Sequence, residues 1–246
     1  MWRWFHRLGS PPGFYAFADR LAPWLLWLSL AGIAVSWGFG LFVVPPDYQQ
    51  GDSFRIIYVH VPAAWLSLMA YTVMAIAGLI ALVWRMKLAE CAVMACAPVG
   101  ASFTALALAT GMLWGKPTWG TYWTWDARLT SELVLLFLYL GVILLAEALE
   151  DRRAGARAAS LLAVAGLINV PIVHYSVEWW NSLHQGATVT KFDKPSIAPE
   201  MLWPLLLAAL SFNLLFGWTV LRRIQGQLLL RESRSRWAAT ILQGGK

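Results

Sequence analysis

The sequence predicts an all-α integral membrane protein with six transmembrane helices, both termini cytoplasmic, and a tryptophan-rich outer-face connection between helices 3 and 4. Three observations carry that expectation. Hydrophobic residues make up 59% of the 246-residue chain and charged residues 13%, with a mean hydropathy of +0.58, which is far more apolar than an ordinary soluble domain. Six apolar stretches reach the about 20 residues that a helix rising about 1.5 Å per residue needs to cross a hydrocarbon core of about 30 Å. Of the 19 Lys and Arg, 14 fall on one side of the resulting pattern, the bias that sets orientation in a membrane.

The spans are expected near 24–44, 61–84, 92–113, 129–148, 158–177 and 201–222, within a single membrane domain over 1–246. Arg3, Arg7 and Arg20 precede the first span in the manner of a signal-peptide n-region. The apolar run after them is too long for an h-region, and "FVVPPDYQQ" offers no small-residue cleavage site, so a retained helix is expected. With the N-terminus inside, the outer segments hold only Arg55, Lys116, Arg128, Lys191 and Lys194. The net charge of +6 and pI of about 9.6 therefore reflect membrane orientation, and nucleic acid is not an expected partner. The basic tail, 223–246, reads as a short helix or disordered end at the inner surface, with lipid phosphate as its partner.

The inner connections, "RMKLAE" and "EDRRAGAR", are short and charged, whereas the outer ones are longer and rich in Trp, Tyr, Pro and His. Elaborated loops usually carry function, which points to the outer face. The two cysteines, Cys91 and Cys96, form neither CxxC nor CxxCH, so they read as buried, reduced thiols.

Of four histidines, His6 lies in the N-terminal arm beside arginines and reads as a surface residue. His60, in "RIIYVHVPAAW", belongs at the outer mouth of the second span. That depth holds whether Pro62 sits in the first helical turn or the helix starts near Ser53 and kinks at Pro62. His184, in "EWWNSLHQGATV", falls in the long outer connection between spans five and six. A closed zinc site asks for about four protein ligands, commonly with sulfur, and the outer face has no cysteine. Haem needs only two axial ligands and a flat apolar bed, so two imidazoles among many tryptophans favour haem over a bare ion. His174, in "NVPIVHYSVEWW", is expected slightly deeper. It can be a third ligand, a donor behind the ligands or a proton-handling group, or it can bond a carbonyl freed by Pro171.

The stretch "WGKPTWGTYWTWD" concentrates Trp114, Trp119, Trp123 and Trp125, more indole than an interfacial aromatic belt requires. Trp119 and Trp123 are four apart, so a short interfacial helix would show both on one face. Gly115 and Gly120 would permit close backbone approach or a tight turn. Such a sheet of indole could support a porphyrin face. Asp126 directly precedes the fourth span and is placed to cap it, which leaves a site role open. Haem propionates want cations, and Arg128 and Arg55, then Lys116, are the outer-face candidates. Snorkelling toward lipid phosphate is the alternative for each.

At these residues the chain resembles a known family. "WGKPTWGTYWTWDARLTSELVLLFLYLG" is similar to the tryptophan-rich signature of the haem-handling membrane proteins of cytochrome c maturation, and "FRIIYVHVPAAW" and "HYSVEWWNSLHQG" resemble the haem exporter protein C (CcmC) family within them. The resemblance covers about residues 20 to 222. It implies haem b, bound non-covalently at the periplasmic face of a bacterial inner membrane, with axial ligands at the positions of His60 and His184. The signature falls on Trp114, Gly115, Trp119, Gly120, Trp123, Trp125 and Asp126. The implied partners are a periplasmic haem chaperone, a small single-span companion subunit, and the membrane and ATPase subunits of an ABC transporter. The chain carries no GxxxxGK[ST] P-loop, so ATP dependence would come from those partners, and a haem-transfer factor rather than an enzyme is expected.

Three rivals predict other patterns. A cytochrome b-like electron carrier wants histidines near both faces, and a general transporter wants polar or charged residues at mid-membrane, of which the span centres show little apart from Asn169 and Asn213. A structural docking subunit predicts that replacing His60 or His184 has no effect.

Overall fold

The computed structural model describes residues 9–186, 188–189, 191 and 193–244. Arg3, His6, Arg7 and Lys246 lie outside the described residues. Among those described, six helices are long and apolar enough to cross a membrane, as the apolar stretches require. They are α1 (Pro11–Phe42), α2 (Ile57–Trp84, entered through a 3₁₀ turn at Asp52–Ile56), α3 (Lys87–Trp119), α4 (Ala127–Ala148), a fifth span in two pieces, and α7 (Pro199–Arg231). The fifth span is α5 (Arg152–Ala165) and α6 (Asn169–Trp179), joined by a 3₁₀ turn at Gly166–Ile168. A short α8 (Arg236–Leu242) follows. With an even number of crossings, both described ends lie at the same end of the bundle, the inner end of the charge-based topology.

Several helices outrun their apolar stretches, because hydropathy marks where lipid must be faced and not where the hydrogen-bond ladder stops. α1 starts at Pro11 rather than near 24, since Pro at the first helical position sets φ without losing a needed donor. α3 has 33 residues, about 50 Å at 1.5 Å per residue, so it projects beyond a core of about 30 Å and carries Trp114 and Trp119 outward. α7 continues through Arg222 and Arg223 to Arg231, so the first part of the basic tail is transmembrane helix extended and not loose chain. The second span begins at Asp52, with Pro62 inside α2; of the two starts open to the sequence, this is the earlier.

α2 and α3 pair at the centre, α1 packs along α7 on one side, and α4 with α5 closes the other. Small residues let these backbones approach, the usual device where lipid is as apolar as the core: Ala63, Ala70, Ala95, Ala97, Ala159 and Ala163 are all fully buried. Cys91 and Cys96 are buried free thiols within this packing. At the inner end, Lys87 donates to Glu232 (2.6 Å), Arg231 pairs with Glu90, and the Trp237 indole of α8 donates to Glu232 (2.8 Å). The tail is thereby pinned across α3 and α7.

Candidate functional site

At the outer end, α2, α3, α4 and α6 splay around a cavity of about 330 Å³, roofed by the first outer connection and by the segment between α6 and α7. The two pieces of the fifth span, joined by the 3₁₀ turn at Gly166–Ile168, differ in their packing. α5 packs closely against α2, while α6 stays with α4 and barely touches α2. His60, His174 and His184 all line this one space, with Trp114, Trp119 and Arg128.

His60 sits one turn into α2. Its Nδ1 lies 3.0 Å from Ala107 O and 3.1 Å from Thr110 Oγ1, both on α3. A carbonyl can only accept, so this contact assigns the proton to Nδ1 and leaves the Nε2 lone pair without that proton, in the form that could ligate a metal. The Trp114 ring meets the imidazole edge-on at 5.6 Å. A Cβ on Gly111 would stand 2.9 Å from His60 Cε1, so the ring fits only because that α3 position has no side chain.

His184 follows α6 in irregular chain. Its Nδ1 is 3.5 Å from Asp126 Oδ2, within ion-pair range but without hydrogen-bond geometry, and this buried nitrogen has no hydrogen-bond partner among the described residues. Its ring packs on Trp119 at 4.7 Å. Burial holds the imidazole below its ordinary pKa against the opposing pull of Asp126, which favours the neutral form that can ligate a metal.

Asp126 does what its place before the fourth span predicted, and more. Oδ1 accepts from Leu129 N at 2.8 Å, capping α4, while Oδ2 accepts from Ser182 Oγ at 2.6 Å. Burial would raise its carboxyl, but the Ser182 and Leu129 hydrogen bonds and nearby His184 bring it below its ordinary value.

The four tryptophans do not form one sheet. α3 ends at Trp119 and Gly120 turns the chain at φ 79°, a conformation glycine adopts without steric cost. Trp123 therefore lies beyond the helix, and the shared helical face expected for Trp119 and Trp123 does not exist. Trp114 and Trp119 line the cavity, whereas Trp123 packs edge-on against Trp125 (5.3 Å), which is 78% exposed, and neither is in the cavity wall. Gly115 serves close approach, a Cβ there meeting the Trp119 ring at 2.9 Å.

The cations divide similarly. Arg128 faces the cavity; its Nη2 donates to His174 O at 3.3 Å and its buried Nε has no partner among the described residues. Arg55 is turned away, paired with Asp52 (2.8 Å) and donating to Gly40 O (2.7 Å). Lys116 donates to Gly120 O at 3.0 Å, over the Tyr122 ring. His174 lies on the cavity side of α6, its ring against Tyr175.

Glu132 was not anticipated. It is 7% exposed, lines the cavity one turn below Arg128, and accepts a 2.8 Å hydrogen bond from Ser67 of α2. The signal was an acid inside an otherwise apolar run, "LTSELVLLFLYLG".

A six-span helical bundle whose outer end gathers histidines, indoles and an unsatisfied arginine into one cavity defines the class of a multi-pass membrane protein with a candidate ligand site at one end. Comparison with known proteins narrows that class. The family model "CcmC: Heme exporter protein C" matches residues 4–239. The chain is 51% identical over 242 residues to heme exporter protein C of Escherichia coli K12, covering 98% of each. It is 49% identical over 243 residues to that of Haemophilus influenzae, covering 99% of each, and 47% identical over 231 residues to that of Bradyrhizobium diazoefficiens, covering 93% of this chain and 86% of the relative. The chain belongs to the heme exporter protein C family.

Proposed function

We propose that the protein holds haem b, non-covalently, at the periplasmic face of a bacterial inner membrane and presents it to a periplasmic haem chaperone during cytochrome c maturation. The observation that carries this reading is the convergence of His60 and His184, from distant parts of the chain, on one cavity, each with Nδ1 turned toward a carbonyl or carboxylate oxygen. A ligating histidine normally donates its second N–H to such an oxygen, as His60 does to Ala107 O, and His184 has the Asp126 carboxylate at 3.5 Å for the same duty. The relatives and the matching family, all heme exporter proteins by name, support the same cargo.

In this reading His60 and His184 supply the two axial imidazoles, Trp114 and Trp119 the apolar wall, and the unpartnered Arg128 Nε a donor for a propionate. Asp126 orients His184. Trp123 and Trp125 flank Asp126 outside the cavity, and Arg55 stands farther back in its own ion pair. The chain acts as a transfer factor, not an enzyme. A small single-span subunit and the membrane and ATPase subunits of an ABC transporter complete the complex and provide ATP hydrolysis.

An electron-carrier role is less well supported, because all three histidines among the described residues lie at the outer end. The test is transfer. Haem-loaded protein in detergent is mixed with the apo-chaperone, and chaperone-bound haem is followed by absorption. Transfer that requires both His60 and His184 supports presentation. Equal transfer from His60→Ala and His184→Ala variants rejects it.

A further inference from the structure

We propose that Gln50, on the first outer connection, is a positioning residue that sets the His60 ring through Trp114. The Trp114 indole Nε1 donates to Gln50 Oε1 at 2.8 Å, and the same indole meets the His60 imidazole edge-on at 5.6 Å with an interplanar angle of 79°. Indole has one donor and no acceptor, so this hydrogen bond fixes which way the ring turns about its side-chain torsions. The ring edge in turn limits where the imidazole can sit.

Gln50 is itself held. Asp47 Oδ1 accepts from its backbone N–H at 2.9 Å, its carbonyl accepts from Ser53 Oγ at 2.6 Å, and Asp47 and Gly51 pair through backbone bonds around it, with Gly51 at φ 57°. A connection outside the membrane thus reaches through one indole to a histidine inside the bundle. Deeper along the same helix, His60 is confined by Ala107 O and by Gly111. The imidazole is therefore held along one face of α3, by Ala107 O and the bare Gly111 position and, one turn further out, by the Trp114 ring whose orientation Gln50 sets. Groups of this kind behind a metal ligand typically change affinity by about 10–100-fold; one step further removed, about tenfold is expected for Gln50.

The consequence for haem rests on the function proposed above, whereas the positioning of His60 does not, so the experiment reads them separately. The haem-free protein, with ¹⁵N-labelled histidine, is studied by NMR in detergent, His60 being assigned by its loss in His60→Ala. Gln50→Leu and Trp114→Phe should move the His60 ring signals alike, the double variant should add nothing further, and Gln50→Glu, which keeps an oxygen acceptor, should restore them. The indole N–H marker in ultraviolet resonance Raman spectra should shift in Gln50→Leu. Unmoved His60 signals in Gln50→Leu, or single-variant effects that simply sum in the double, would overturn the positioning role. If the His60 signals respond as expected while no variant, wild type included, takes up haem, the positioning of His60 stands and the haem reading is what fails.

Discussion

Asp126 Oδ2 stands 3.5 Å from His184 Nδ1 while the other oxygen of the same carboxylate caps α4 through Leu129 N. One side chain thus ties a transmembrane helix start to a histidine on the connection between α6 and α7, with Ser182 holding it from the same connection. The two duties are separable by substitution. Asn caps a helix about as well as Asp, so Asp126→Asn should leave thermal stability in detergent near wild type while removing the charge facing His184. Haem retention should then weaken by about 10–100-fold, measured as the rate of haem loss to an excess of apomyoglobin. Asp126→Ala should also lose about 1 kcal/mol of stability. Unchanged haem loss in Asp126→Asn would show that Asp126 serves only as a cap.

Gly111 gives a second, sharper test. An added Cβ would lie 2.9 Å from His60 Cε1, so Gly111→Ala must displace the imidazole. Alanine is the better helix former by about 1 kcal/mol, so the melting temperature should hold or rise while the bound haem loses its wild-type absorption. A wild-type spectrum in Gly111→Ala would mean that His60 is not fixed where the structure has it.

The histidines were legible as residues because imidazole is rare, and His60 fell at the outer mouth of a span and His184 on an outer connection. Their meeting could be expected from a shared depth, but its geometry could not, since it depends on how α6 packs against α4 and on the path of irregular chain around Ser182. Asp126 could be read as a cap from its place before an apolar run, but its second oxygen had no sequence signature. Spacing misled at Trp119 and Trp123, where a four-residue interval suggested one helical face and Gly120 ended the helix between them. Glu132 is one acid in a long apolar segment with no partner visible in the sequence, and Gly111 and Gln50 acquire meaning only when α3 and the first outer connection come together beside His60. The six spans needed nothing beyond hydropathy, whereas their true ends depended on capping and on helix continuing past the apolar run.

The inner latch makes a pH prediction. The hydrogen bond from Lys87 holds the Glu232 carboxyl below its ordinary value, with Trp237 assisting against partial burial. A carboxyl depressed in the folded state contributes stability above its unfolded pKa and loses it as pH falls through the folded one. The tail should therefore loosen at pH values below the ordinary carboxylate range, seen as increased solvent quenching of Trp237 fluorescence relative to Trp237→Phe. Glu232→Gln should remove that dependence. A tail equally shielded across the acid range in both proteins would contradict the latch.

The most direct measurement is the absorption spectrum of detergent-purified protein, normalised to protein, for wild type beside His60→Ala, His184→Ala and His174→Ala. Haem held between His60 and His184 predicts a low-spin spectrum in wild type, disturbed by loss of either of those two and largely kept in His174→Ala. Wild-type spectra from both His60→Ala and His184→Ala, or no haem in any of the four even with the periplasmic chaperone present, would contradict it.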